Sequence, residues 1–213
     1  MTDCISFKIV LALGLIFFLL IIRTFVGVMP SLMATVIRWK ESLNLEASVK
    51  LSRDRNTVAA CAGIFFCLTM IRYDVYDVYD LKCLQNVGLN AHFWILIGIF
   101  CLFIAIRTFI EHTIRPRRIQ AKSYVAVVRV SYSFFIVLTM LLLLTSGIAT
   151  VFDISLEHTR NAILWISALT YLLHLIRKLQ ILSSSCSIFA GFLYLCALEI
   201  LPTGVLIASA VIF

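Results

Sequence analysis

Charged residues are scarce in this chain, at 14% of 213 residues, where a soluble domain carries about 25%. With 62% hydrophobic residues and a mean hydropathy of +1.04, that shortage excludes an ordinary soluble globule. No polar stretch is long enough for a separate soluble domain, so one transmembrane domain over 1–213 is expected. No GxSxG, HExxH or glycine-rich phosphate loop occurs, and the usual signatures of acyl-transfer, zinc-protease and nucleotide chemistry are therefore missing. The seven cysteines include no CxxC pair, which speaks against zinc and thioredoxin-like readings. The first apolar run also lacks a basic n-region and a small-x-small cleavage site, so it reads as a retained span and not as a signal peptide.

What the sequence does have is a succession of apolar runs. They predict an all-α, polytopic membrane protein with six transmembrane helices at about 5–22, 57–71, 93–110, 124–151, 162–176 and 187–213. Between the first two spans, Leu32, Val36, Trp39 and Leu43 share one side of a helical pattern, predicting an amphipathic helix at about 31–51 lying on the membrane surface. The second run is short, about 22 Å as a helix. It must extend into its flanks or thin the bilayer locally.

The net charge of +7 is explained by topology without invoking nucleic acid. Most of the 18 lysines and arginines fall after the first, third and fifth spans, for instance Arg38, Lys40, Arg53 and Arg55, then Arg115, Arg117 and Arg118, then Arg177 and Lys178. The positive-inside rule places those connections in the cytoplasm and both termini outside, which in a bacterium is the periplasmic side of the inner membrane. Cys4 and Cys83 then face outward and are candidates for a bridge. Cys61, Cys67, Cys101 and Cys196 fall inside spans as small apolar residues.

The sharpest feature is a single carboxylate, Glu199, in the last apolar run. That run would extend roughly 40 Å as a helix, placing Glu199 near mid-depth, where an ionised carboxylate costs about 2.5–3.5 kcal/mol. It should be paired or face protein. Pro202, three residues on, has no N–H to offer the Leu198 carbonyl, while Cys196 and Thr203 lie on the same side of the helix as Glu199. Arg129 is the expected partner, about 10 Å in from the cytoplasmic end of its span against about 18 Å for Glu199. His174, nearer the rim, would extend this into a three-residue relay. Arg115, Arg117 and Arg118 are candidate contacts for lipid headgroup phosphates. Asp74, Asp77 and Asp80 alternate with tyrosines at a predicted membrane boundary, a weak candidate for a divalent cation. The four histidines lie near the two surfaces, so neither haem nor another cofactor or metal is expected.

A faint internal echo runs through the chain, with LLIIRTF and FIAIRTF closing the first and third spans and FFCLTM and FFIVLTM inside the second and fourth. Helical hairpins related by a parallel repeat would produce it, as would apolar low complexity. The tail segment Leu193–Pro202, LYLCALEILP, resembles the C-terminal signature of an uncharacterised family of bacterial inner-membrane proteins, domain of unknown function 4271. IRWKESLN echoes the basic segment which that family carries after its first span. The resemblance implies a multi-span inner-membrane protein and no particular activity.

Three functions fit these residues, in descending order. The first is a structural or accessory component of a membrane assembly, with a membrane-protein partner or a second copy of the chain beside it in the lipid bilayer. The second is a small proton- or cation-linked transporter using Glu199, and the third a membrane enzyme acting on lipid at the cytoplasmic face. The lack of catalytic motifs puts the enzyme last, and a single deeply placed carboxylate holds the transporter below the accessory role.

Overall fold

The structure is a computed structural model that describes residues 3–38, 40–41, 48–73, 89–113, 121–184, 188–200 and 203–204. Among the described residues it contains six α-helices and no strand. They are α1 (Asp3–Ile37), α2 (Val49–Arg72), α3 (Leu89–Thr113), α4 (Ala121–Val151), α5 (Leu156–Ser183) and α6 (Ile188–Leu195), the last running directly into a π-helical turn, Cys196–Ile200. The all-α expectation is met. Of the six expected spans, three described segments are long and apolar enough to cross a membrane: Val49–Arg72, Tyr124–Val151 and Leu156–Ser183. Ile21–Ile37 and Ile97–Ile110 are shorter apolar helical stretches.

Two boundaries differ from the sequence reading for physical reasons. The first part of the surface helix expected at 31–51 belongs instead to α1, which continues through Gly27 and Pro30 to Ile37, while residues 39 and 42–47 lie outside the described residues. Val28, Leu32 and Thr35 are almost fully buried there, and packing of that stripe against α2 outweighs the backbone bond lost at Pro30. Ser31 and Thr35 return their hydroxyls to the Val28 and Leu32 carbonyls, each at 2.7 Å. The second helix gains two turns at its start. Ser48 caps it by accepting from the Leu51 N–H at 3.5 Å, and at 24 residues it reaches about 36 Å.

α4 is the centre of the bundle, packed on α5, α2 and α1. Ala59, Ala62 and Gly63 let α2 approach its neighbours closely, as small residues do between membrane helices; a Cβ at Gly63 would already lie 3.6 Å from the Phe100 ring. Phe66, Phe100 and Phe135 join α2, α3 and α4, with ring centroids 5.3 to 5.8 Å apart. Ile21, Val28, Leu32, Val58, Cys61 and Ile136 form one buried cluster, and Met70, Tyr73, Leu142 and Ile163 another. Outward, the helices present large apolar side chains such as Val26, Leu102, Phe109, Leu144 and Trp165, a surface suited to hydrocarbon and not to water.

Polar contacts divide the bundle into two ends. At one, Arg177 of α5 donates to the Val36 and Ile37 carbonyls at 3.0 and 2.8 Å, closing the C-terminus of α1. Arg129 of α4 donates to Ser52 of α2 at 2.9 Å on this same end. At the other, the Tyr73 and Ser146 hydroxyls meet at 2.8 Å and Arg72 donates to Thr150 at 3.0 Å. α1 and α5 therefore end at the first end, whereas α2 and α4 run side by side from the first end to the second. The α4–α5 turn lies with the second end, where Asp153 has a φ of 48° and the Ile154 N–H reaches back to the Ala149 carbonyl, a left-handed helix stop.

Candidate functional site

Glu199 stands inside the π-helical turn. Such a turn holds an extra residue compared with an α turn and so re-aims the side chains it carries, a reason π turns recur at functional positions. Here it directs the carboxylate into protein, and Glu199 is only 3% exposed. α5 meets it with a stripe at helical spacing, Tyr171, His174 and Lys178.

The geometry is that of a charge cluster drawn from three helices. One carboxylate oxygen, Oε1, accepts from Lys178 Nζ of α5 and, at 2.6 Å, from Arg107 Nη2 of α3. The other, Oε2, faces His174 Nε2 at 3.8 Å, close enough for electrostatic contact and too long for a hydrogen bond. Arg107 also donates to Ser131 of α4 at 2.5 Å. The Tyr171 hydroxyl donates to the Glu199 backbone carbonyl at 3.2 Å, taking an acceptor near the end of the described helix. The His174 ring stands edge-on to Phe134, centroids 5.4 Å apart. Lys178, at 3% exposure, is held as tightly as the carboxylate. A carboxylate desolvated this far is stable only with such direct, hydrogen-bonded counter-charges.

The residues expected at the site are only partly brought together. Glu199 and His174 are there, as is Thr203, whose side chain meets the Tyr171 hydroxyl. Cys196 is a half-buried free thiol on the same turn. Arg129 is placed elsewhere: it shares Ser52 with Arg55, which lies 5.7 Å over the Tyr132 ring and donates to Asn56 at 2.9 Å. The cations that take its expected role, Arg107 and Lys178, look in sequence like boundary charges closing their spans. The closure is displaced because α3 runs to Thr113 and α5 to Ser183, carrying both side chains inside the bundle. Pro202, Arg115, Arg117 and Arg118 lie outside the described residues, as do Asp74, Asp77, Asp80 and the Cys83 half of the expected bridge. Among the described residues no group of His, Cys, Asp and Glu side chains is arranged to hold a metal.

A family model described as a domain of unknown function, DUF4271, matches residues 7–209. No curated protein and no solved structure matches the chain.

Proposed function

The chain belongs to the DUF4271 family, and from that premise we propose that it is a multi-pass protein of the bacterial inner membrane acting as a structural or accessory component of a membrane assembly. The observation carrying this reading is the Glu199 cluster: one buried carboxylate held from α3 and α5 at once. An interhelical ion pair with hydrogen bonds on both partners resists separation, since parting it strands charges in a dry interior. It fastens α3, whose Trp94, Leu102 and Phe109 are largely exposed, and the C-terminal helix to the central α4–α5 pair.

Six spans belong to the same proposal. α1 has 35 residues and α3 has 25, about 52 and 38 Å long, each more than a hydrocarbon core. The apolar run 187–213 supplies the sixth. A rigid bundle locked from within and apolar outside fits a role as a membrane-embedded support for another membrane protein or a second copy of itself.

The test is purification in mild detergent, comparing the native chain with Glu199→Gln. The reading expects a copurifying membrane protein or a discrete homo-oligomer, with heat resistance and the assembly both reduced in the variant. Proton- or cation-linked flux in liposomes containing the chain alone, abolished by Glu199→Gln while the melting temperature holds, would overturn it in favour of a transporter.

A further inference from the structure

One face of α5 has polar atoms that the protein leaves without partners. Ser167 Oγ and His174 Nδ1 are both buried to less than 1 Å² and make no hydrogen bond among the described residues. They lie seven residues apart on the helix, on the stripe that continues to Lys178, with Tyr171 between them on that stripe, its ring centroid 6.3 Å from that of His174. Leaving one such atom unsatisfied costs about 1–3 kcal/mol, and two on one stripe is a pattern with a common cause. Native interiors resolve it with ordered water where two or more polar groups converge.

We propose that α5 carries an internal water site, a short file of ordered molecules running from Ser167 Oγ past the Tyr171 hydroxyl to His174 Nδ1. Successive polar groups on this stripe are one turn apart, about 5 Å along the axis, which is the span of two hydrogen bonds through one water. Ile163, one turn before Ser167, and Ile181, just beyond Lys178, are both fully buried, so the stripe meets packed apolar side chains at either end. The imidazole then has water on Nδ1 and the Glu199 carboxylate opposite Nε2. A ring placed this way exchanges protons with the file without any separation of helices. The inference goes beyond the structural role proposed above, and its test leaves Glu199 untouched, so the two fail separately.

The full chain in lipid nanodiscs, exposed to brief X-ray radiolysis in ¹⁸O-labelled water, reads the site directly, since hydroxyl radicals made from bound water label the side chains they touch. His174 should take up label several-fold faster than Tyr73, a more reactive ring equally buried at 6% exposure, and Ser167→Ala should lower labelling of Tyr171 and His174 while Tyr73 is unchanged. Exchange of the His174 ring C2 proton with deuterium, followed by mass spectrometry, should proceed at a rate within reach of that of the exposed His158. Labelling of His174 no faster than Tyr73, labelling indifferent to Ser167→Ala, or a His174 ring still unexchanged when His158 is complete would each overturn the proposal.

Discussion

At the scale of single residues, the geometry makes a sharp statement about which charges depend on one another. Removing the Glu199 charge leaves the buried Lys178 and the partly buried Arg107 facing each other without their shared counter-charge, and loss of one partner of a buried pair costs about 3–5 kcal/mol. Glu199→Gln should therefore lower the unfolding midpoint in detergent substantially, although the side chain keeps its size. Lys178→Met alone should be comparably harmful. The double variant should cost clearly less than the sum of the two, because it removes both ends of one interaction. Arg129→Met combined with Glu199→Gln should instead be additive, since Arg129 is occupied with Ser52. That contrast separates the pairing read from sequence depths from the one built by the fold. The carboxylate was legible in the sequence because an apolar run advertises any charge within it. Its partners were not, since a basic residue at the end of an apolar run has the same appearance whether it faces water or turns inward. The clue lay in spacing: Tyr171, His174 and Lys178 share one helical face, and Arg107 falls in the IRTF echo of Arg23.

At the scale of elements, the helices that run past the expected spans do so for one reason. Proline, glycine and clustered charge mark boundaries for an isolated helix, but packing decides within a bundle. α1 passes through Pro30 because Val28 and Leu32 are seated against α2, and α5 passes Arg177 because that guanidinium finds the open end of α1. Arg177→Ala should thus act at a distance in sequence. Amide exchange should rise around residues 36–41 with little change inside α5, at a cost of about 1 kcal/mol. If exchange rises in α5 alone, the capping role fails. The α4–α5 turn offers the opposite kind of change. Asp153 holds a left-handed conformation that glycine adopts without a Cβ penalty. Asp153→Gly should raise stability by about 0.5 kcal/mol, whereas Asp153→Val should lower it, both readable from thermal unfolding of the purified protein.

At the scale of the whole molecule, fold class was legible because composition alone forbids a soluble answer, and family membership because LYLCALEILP is an unusual string. Direction belongs to the proposal, and the two ends of the bundle supply sites at which it can be tested. Contacts gather Val36, Ser52, Arg129, Arg177 and Lys178 toward one end and Tyr73, Ser146 and Thr150 toward the other. The first end collects the arginines and lysines whose abundance marks a cytoplasmic face, and the second holds the turn with Asp153 and Glu157. Arg72 and Arg160 also lie at the second end, so the orientation proposed from the positive-inside rule needs a direct test. Arg53 and Asp153 are both exposed, on opposite ends. In a cysteine-free background, a membrane-impermeant maleimide added to intact bacteria whose outer membrane alone is permeabilised should label Asp153→Cys promptly. Arg53→Cys should react only after the inner membrane is opened. The reverse pattern would invert the orientation while leaving the bundle intact, and equal labelling of both sites before opening would mean that the bundle does not separate them across a bilayer at all.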